Sequence, residues 1–400
     1  MKVVGIIAEY NPFHEGHRYH IEAARRVSGA DKVVVIMSGS FVQRGEPACA
    51  DKFIRAKWAV DNGADMVIEL PDVFALSCAE RFASGAVRIL NGTGMVDSIC
   101  FGSESGDINR ILELAERGED CEKLAEALAS GDPYPKAAAK ASGSPLPPND
   151  ILAVEYARAV KRYAPGMELF AIKREGSAYD DDKLDYEYSS AKAIRKAFIN
   201  CGASARMSPA VFDSLSRALP REVLEDISNE IRNGAFPSVD ANLSDAIMYR
   251  FRSMSVDEIA CLPEVAEGLE NLFKKHSSLS SYEELLAAVK SKRYTMARLK
   301  RISMCALLGI DKKLQDAAAS DDNALYARVL AVKEDSRELL TNLSERSTIP
   351  VVIRGADREK LTETAARIEA VSAFAHSVRA LGQPYDKSFL EDGGYRLIVR

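Results

Sequence analysis

The sequence predicts an α/β fold, a doubly wound parallel sheet in its first half followed by a second, mostly helical domain. Three observations carry this reading. Short, continuous apolar runs recur from the N-terminus without period-two alternation, as strands buried on both faces require. The first four are separated by about 25 residues, enough for one crossover helix each. After about residue 200 the runs nearly vanish, and apolar residues recur at three- and four-residue steps instead.

The expected strands are residues 3–8, 32–37, 65–70, 98–101 and 168–172. Residues 19–27, 53–62 and 75–90 supply the crossover helices; in the last, Leu76, Ala79, Phe82, Ala83, Ala86 and Ile89 share one face. A longer helical insertion, residues 107–163, contains an irregular loop at 142–150 (SGSPLPPND). A helix over 191–199 closes the first unit, and small residues at Cys201-Gly202 mark the boundary, giving domains 1–200 and 201–400. In the second, helices are expected at 211–219, 243–254, 282–290, 298–308 and 324–342, and a small strand pair from 349–354 and 395–399.

Composition bounds the class. With 400 residues, 47% hydrophobic and 28% charged, the chain is long enough for two globular domains. No stretch approaches the roughly 18 apolar residues of a membrane span. The N-terminus lacks a separate basic region and a cleavage site, so the chain is expected in the cytoplasm. The seven cysteines are an odd number without a CxxC pair, which suggests reduced, packed thiols rather than disulfides or a zinc site. A net charge of −6 argues against bulk-charge coating of nucleic acid, and neither DNA nor a membrane is expected as a partner.

Only five histidines occur, and His14, His17 and His20 fall within EYNPFHEGHRYH, directly after the first strand. Asn11-Pro12 sets a turn, and Gly16 lets the backbone approach a ligand at the start of the first helix. Two imidazoles three residues apart, together with N–H groups of a helix N-terminus, make an anion site suited to nucleotide phosphates. Such histidines also serve as caps or exposed polar groups elsewhere, but here they lie at the carboxyl end of a strand, where open α/β sheets bind ligands. A metal site is the competing functional reading, although no acidic or cysteine ligands accompany them at suitable spacing.

HEGH after NPF resembles the HxGH signature of the nucleotidyltransferase superfamily, whose members direct attack on the α-phosphate of ATP. Further segments, among them MSGSFVQRGEPA (37–48), ELPDVFALSCAERFASGAV (69–87), FGSESGD (101–107), PPNDILAVEY (147–156), IKREG (172–176), SSAKAIRKA (189–197) and RLKRISMCALLGI (298–310), resemble in this order the tRNA(Met) cytidine acetate ligase family. The resemblance covers nearly the whole chain. It implies a nucleotidyltransferase (HIGH-type, Rossmann-like) ATP domain at 1–200 and a tRNA-binding domain at 201–400. It also implies ATP, with Mg²⁺, as co-substrate, acetate activated as acetyl-adenylate, and transfer to the wobble cytidine of elongator tRNA(Met) as N4-acetylcytidine.

The resemblance gives residues their roles. Ile7, Asn11, Pro12, Phe13, Gly16 and His20 would wrap the triphosphate, while His14 and His17 stabilise charge as the α–β bond breaks. Gly102 would meet adenine or ribose, although a strand-end turn asks for the same residue. Asn149, before a helix at 151–160, suits either a cap or ATP contact, and the family tips it towards contact. Arg174 would neutralise pyrophosphate, and Ser190 and Arg195, in a helix-start turn, would hold β- and γ-phosphates. Gly39, Ser40, Gln43 and Arg44 would border the substrate; Ser40 stands where family members carry Asn. The run Asp180-Asp181-Asp182 reads as a solvated loop.

For RNA, Lys290, Lys292, Arg293, Arg298, Lys300 and Arg301 place six cations in twelve residues, with Tyr294 available to stack on a base. Charge runs are usually solvated helix faces, and only the resemblance favours a tRNA contact here. Lys52, Arg55 and Lys57 extend the reading as a basic rim near the cleft. Two other functions fit less of the sequence: an adenylyltransferase for a small phosphorylated metabolite, and a non-catalytic tRNA-binding protein with structural ATP.

Overall fold

A computed structural model describes residues 1–117, 147–174, 189–201, 208–388, 392 and 397–400. The first half runs β1 (Val3–Ala8), α1 (Glu15–Ser28), β2 (Lys32–Ser38), β3 (Phe41–Val42), β4 (Glu46–Pro47), α2 (Lys52–Asp61), β5 (Met66–Leu70), α3 (Asp72–Ala75), α4 (Ala79–Gly92), β6 (Ser98–Ser103), α5 (Ile108–Arg117), α6 (Pro148–Tyr163), β7 (Glu168–Lys173) and α7 (Ala191–Cys201). Strands β5, β2, β1, β6 and β7 lie side by side in that order and all parallel. The order reverses direction between β1 and β6, and the carboxyl ends of those two strands open the crevice where such sheets bind ligands. Along β2, Val34 and Ile36 enter the core on one face while Val33, Val35 and Met37 enter the core on the other. Both faces are therefore covered, which is why β2 reads as one apolar run.

The second half contributes helices α8 (Pro209–Ala218), α9 (Arg221–Arg232), α10 (Ser244–Ser253), α11 (Val256–Ala260), α12 (Leu269–His276), α13 (Tyr282–Val289), α14 (Met296–Leu308) and α15 (Lys312–Ser320). It then returns to the sheet. β8 (Ala327–Val332) pairs antiparallel with β5, so the expected helix at 324–342 is in fact a strand followed by α16 (Glu338–Arg346). Every residue of β8 is buried, and a short run of Ala, Leu and Val broken only by Arg328 fits either period until a neighbour supplies its hydrogen bonds. β9 (Val351–Val352) and β10 (Ile398–Val399) both pair with β8 rather than with each other, correcting the expected strand pair; α17 (Glu363–Leu381) lies between them in sequence. The sheet thus crosses the 200/201 division.

Buried charges sit at this seam. Arg328 on β8 stands opposite Glu69 on β5, and its guanidinium reaches Asp392 at 2.5 Å and Glu369 of α17 at 3.4 Å. Lys52, wholly buried, bridges Glu69 at 2.7 Å and Asp392 at 3.1 Å. Arg55 is equally buried and donates to the carbonyls of Glu9, Ser38 and Gly39, while Lys57 pairs with Asp226. The expected basic rim on α2 is therefore internal structure. Of the cysteines, Cys49, Cys100 and Cys305 are buried and Cys261 is exposed; Cys121, the side chain of Cys201, residues 142–146, the 180–182 acidic run and Gly202 lie outside what is described.

Candidate active site

The turn after β1 builds the centre of the cleft. His14 is the N-cap of α1: its Nδ1 accepts from the Gly16 N–H at 3.1 Å, and the His14 N–H in return donates to Nδ1 of His17 at 3.3 Å. HEGH is thus a reciprocal capping box in which imidazoles replace the usual hydroxyl and carboxylate. The two rings stack with centroids 3.7 Å apart. Because each Nδ1 accepts a backbone N–H, the proton of each neutral ring resides on Nε2. Burial, with Arg174 and Arg195 nearby, pushes His14 down to about 3, and burial followed by the adjacent His14 pushes His17 well below its usual value. Both residues line the cleft as neutral N–H donors. Neutrality lets the rings stack without charge repulsion, and an arriving anion meets donors that need not reorganise.

Around this pair lie Ile7, Ala8, Glu9, Tyr10, Asn11 and His20 from the first segment, Val42, Gln43 and Arg44 from the β3–β4 hairpin, and Phe82 from α4. The other wall comes from Phe101, Gly102, Asn149, Leu152, Tyr156, Arg174, Ser190, Lys192 and Arg195. His20 Nε2 and the Tyr10 hydroxyl are buried with no protein partner, so polar capacity is held ready for a ligand. Tyr10 is one of few non-glycine residues with positive φ (48°), the kind of local strain that gathers at functional sites. Arg44, Arg174, Lys192 and Arg195 face one carboxylate, Glu9, among the described lining residues. The balance suits a polyanion. Phe101, Leu152 and Tyr156 add an apolar flank beside Gly102, where a flat heterocycle can lie.

Most first-half candidates meet in this cleft: Ile7, Asn11, His14, His17, His20, Gln43, Arg44, Gly102, Asn149, Arg174, Ser190 and Arg195. Several do so differently than expected. Asn149 lies inside the first turn of α6, not before the helix, because Glu104 reaches across and accepts from Asn149 Nδ2 at 2.6 Å and from the Asp150 N–H at 3.2 Å. Asn11 Oδ1 is spent on the Cys49 N–H, and Arg195 donates to the Asn11 carbonyl at 2.6 Å, tying α7 to the histidine turn. Ser190 accepts from the Ala193 N–H as the start of α7.

Five candidates do not line the cleft. Phe13 is fully buried, packed edge-on to Tyr10 with centroids 4.8 Å apart, and Pro12 is buried beside it; they support the turn from behind. Gly39 and Ser40 are buried below the cleft, and a Cβ at 39 would sit 2.7 Å from Glu69 Oε1 and 2.9 Å from Asp72 Oδ2. Gly16 also stands outside the lining, its N–H committed to His14. Lys192, Phe82 and Tyr156 carry no site role in the sequence reading, and Glu9 and Tyr10 enter it only as part of the segment from Ile7 to His20 that would wrap the triphosphate; their position directly after β1 is the signal that marks them individually.

The basic run on the second half divides. Tyr294 is buried with its ring under Arg298, so it offers no open face for a base. Arg298 donates to the Glu264 carbonyl, and Arg301 forms a bidentate pair with the Glu264 carboxylate at 2.6 and 2.7 Å. Lys300 bridges Glu46 at 2.5 Å and Asp240 at 2.8 Å, and Arg301 also donates to the Gln43 carbonyl at 3.2 Å. Lys300 and Arg301 thus clamp the β3–β4 hairpin onto α14. At Gly45, φ is +75°, and a Cβ would meet the Arg301 N–H nitrogen at 2.3 Å, which shows how closely the two halves approach. Lys290, Lys292 and Arg293 remain exposed at the turn between α13 and α14.

Comparison with known proteins identifies the family to which this fold belongs. The HIGH Nucleotidyl Transferase family matches residues 1–386. The tRNA(Met) cytidine acetate ligase of Acetivibrio thermocellus is 38% identical over 374 residues, covering 89% of each chain. That of Clostridium novyi is 33% identical, covering 97% of this chain and 98% of its own. The crystal structure of apo Thermotoga maritima TmcAL superposes with a TM-score of 0.91 at 30% identity over 100% of both chains. The same protein bound with alpha-thio ATP gives 0.89.

Proposed function

We propose that this chain, which belongs to the tRNA(Met) cytidine acetate ligase family of HIGH nucleotidyltransferases, is an ATP-dependent ligase that activates acetate as acetyl-adenylate and transfers the acetyl group to the wobble cytidine of elongator tRNA(Met). The observation that carries this reading is the stacked His14–His17 pair, with both Nδ1 atoms fixed by backbone N–H groups and Nε2 left as donor in a cationic cleft. The acetate carboxylate attacks the α-phosphate, and pyrophosphate leaves. No protein nucleophile is needed, consistent with thiols that burial pushes up, Cys49 to about 11 and Cys100 to about 12. His14 and His17 stabilise the phosphates, Arg174 and Arg195 balance the departing pyrophosphate, and Ser190 presents the N-terminus of α7 to it. Phe101, Gly102, Leu152, Tyr156 and Asn149 form the adenosine side.

Mg²⁺ bound with ATP would add charge compensation at the phosphates beside Arg174 and Arg195. No helix among the described residues is long and apolar enough to cross a membrane. Residues 1–200 are assigned chiefly to ATP, and the second half to tRNA and to closing the sheet. Exchange of labelled pyrophosphate into ATP tests the first step. It is expected to require acetate, and exchange that ignores acetate but follows a phosphorylated metabolite would replace this reading.

Two substitutions probe the assignments. A Cβ at residue 102 would lie 3.3 Å from Arg174 Cγ and 3.7 Å from its Cδ, so Gly102→Ala displaces the Arg174 stem by a few tenths of an ångström. The KM for ATP in the exchange reaction is expected to rise about fivefold, well short of the roughly hundredfold loss of a 1 Å misplacement. An unchanged KM would separate Gly102 from the nucleotide. On the RNA side, the Lys292→Ala/Arg293→Ala double variant is expected to weaken tRNA binding and to lower the slope of log affinity against log salt by about 2, with exchange unaffected. A slope equal to that of the parent would remove these side chains from the RNA interface.

A further inference from the structure

We infer that Glu9 is the base that takes the proton from the cytidine amine during acetyl transfer, an inference that rests on the ligase reading and adds a residue to it. The exocyclic amine of cytosine shares its lone pair with the ring, so it attacks a carbonyl effectively only as its proton is removed. The cleft holds few candidates for that task. His14 and His17 already use Nδ1 as acceptors and carry their proton on Nε2, which makes them donors. Burial pushes His20 down to about 4, leaving it a weak base. Arg44, Arg174, Arg195 and Lys192 are cations, and Glu9 is the sole carboxylate among the described lining residues.

Its placement fits the step. Glu9 follows the last residue of β1, and its carboxylate turns to the β3–β4 hairpin, which lines the cleft through Val42, Gln43 and Arg44. One oxygen, Oε1, accepts the Gln43 N–H at 2.8 Å, which fixes the carboxylate in orientation and leaves Oε2 for a second partner. Arg195 on α7, Arg44 on the hairpin and Arg55 on α2 face it and favour its charged form, but burial outweighs them and raises its proton affinity above the ordinary carboxylate level. A carboxylate so placed is a stronger proton acceptor than one in water.

The step balances without another reactant. The amine nitrogen forms a bond to the acetyl carbon, the bond from that carbon to the phosphate oxygen breaks with its electron pair leaving on AMP, and one amine proton passes to Glu9.

Glu9→Gln tests this, because the amide oxygen keeps the Gln43 contact while losing basicity. Acetate-dependent pyrophosphate exchange is expected to stay within about threefold of the parent, whereas single-turnover acetyl transfer to tRNA falls about 10²-fold or more, the range of general base catalysis, and loses its rise with pH. Glu9→Asp, which keeps the carboxylate but shortens its reach to Gln43, is expected to transfer faster than Glu9→Gln and to retain the rise. Transfer by Glu9→Gln within threefold of the parent overturns the assignment. So does Glu9→Asp being the slower of the two, or exchange falling in step with transfer, since each describes a residue that only holds the hairpin. Parent protein that shows no acetate-dependent exchange would instead remove the ligase reading, and the base with it.

Discussion

His14→Asn and His17→Gln each lower acetate-dependent pyrophosphate exchange about 10²- to 10³-fold while leaving thermal stability close to that of the parent. The expectation separates two functions that both rings perform. As a cap, His14 needs only an acceptor at the position of Nδ1, and asparagine is among the best N-cap residues; at the third helical position glutamine completes the box as His17 does. Asparagine is too short to place a donor at the position of Nε2, and glutamine, with its oxygen on the His14 N–H, holds its amide donor on a flexible stem rather than on a stacked ring; one lost donor to developing charge is worth about 3 kcal/mol in comparable sites. His14→Ala removes cap and donor together, so it loses activity equally and about 1 kcal/mol of stability besides. The check is exchange kinetics beside a urea titration. If His14→Asn retains activity, the imidazoles are caps and nothing more. Because both rings are neutral at pH 7, exchange is also expected to show no fall between pH 8 and pH 6 attributable to histidine titration; such a fall near 6.5 would mean that the rings gain charge in the free enzyme.

Arg328→Ala is expected to be the most destabilising single change at the seam between the halves. It leaves Glu69, Asp392 and Glu369 buried without the guanidinium that joins them, and removing one partner of a buried pair costs about 3–5 kcal/mol. The urea midpoint reads this directly, and a loss below about 1 kcal/mol would show that Lys52, together with Arg358, which pairs with Glu369 at 2.5 Å, already suffices. The acids of this region give stability a pH dependence of two signs. Lys52 and Arg328 outweigh burial at Asp392 and hold it down to about 2, so its contribution is complete above the ordinary carboxylate range and is lost as pH falls towards 2. Asp72 behaves oppositely: burial and the nearby Glu69 carboxylate push it up to about 7, so the folded state keeps a proton that the unfolded chain releases, and stability falls as pH rises from about 4 to 7. Asp72→Asn, which retains the oxygen that accepts the Phe41 N–H at 2.8 Å, is expected to abolish that fall.

The parts of the molecule that could be read from sequence are those whose causes are local. β1, β2, β5, β6 and β7 are single apolar runs flanked by helices, and the histidine turn follows β1 with no intervening residues to obscure its place at the sheet's edge. What could not be read depends on distant partners. β8 is a strand because β5 offers it hydrogen bonds from more than 250 residues away. The cations at 298–301 look solvated in sequence, but Glu264, Glu46 and Asp240 lie elsewhere in the chain and turn them into a clamp. Asn149 sits one turn deeper in α6 than its sequence suggests because Glu104, on the loop after β6, caps that helix from outside. Ser40 follows an apolar strand end that looks like a cleft border, yet it is wholly buried, with Asp72 of α3 holding the next residue through the Phe41 N–H.

One experiment bears most directly on the whole account. The purified protein is incubated with ATP, acetate and an elongator tRNA(Met) transcript, and the RNA is digested for nucleoside mass analysis. N4-acetylcytidine at the wobble position, formed only when ATP and acetate are both supplied, is the expected result. Unmodified cytidine, together with no acetate-dependent release of pyrophosphate, would contradict it.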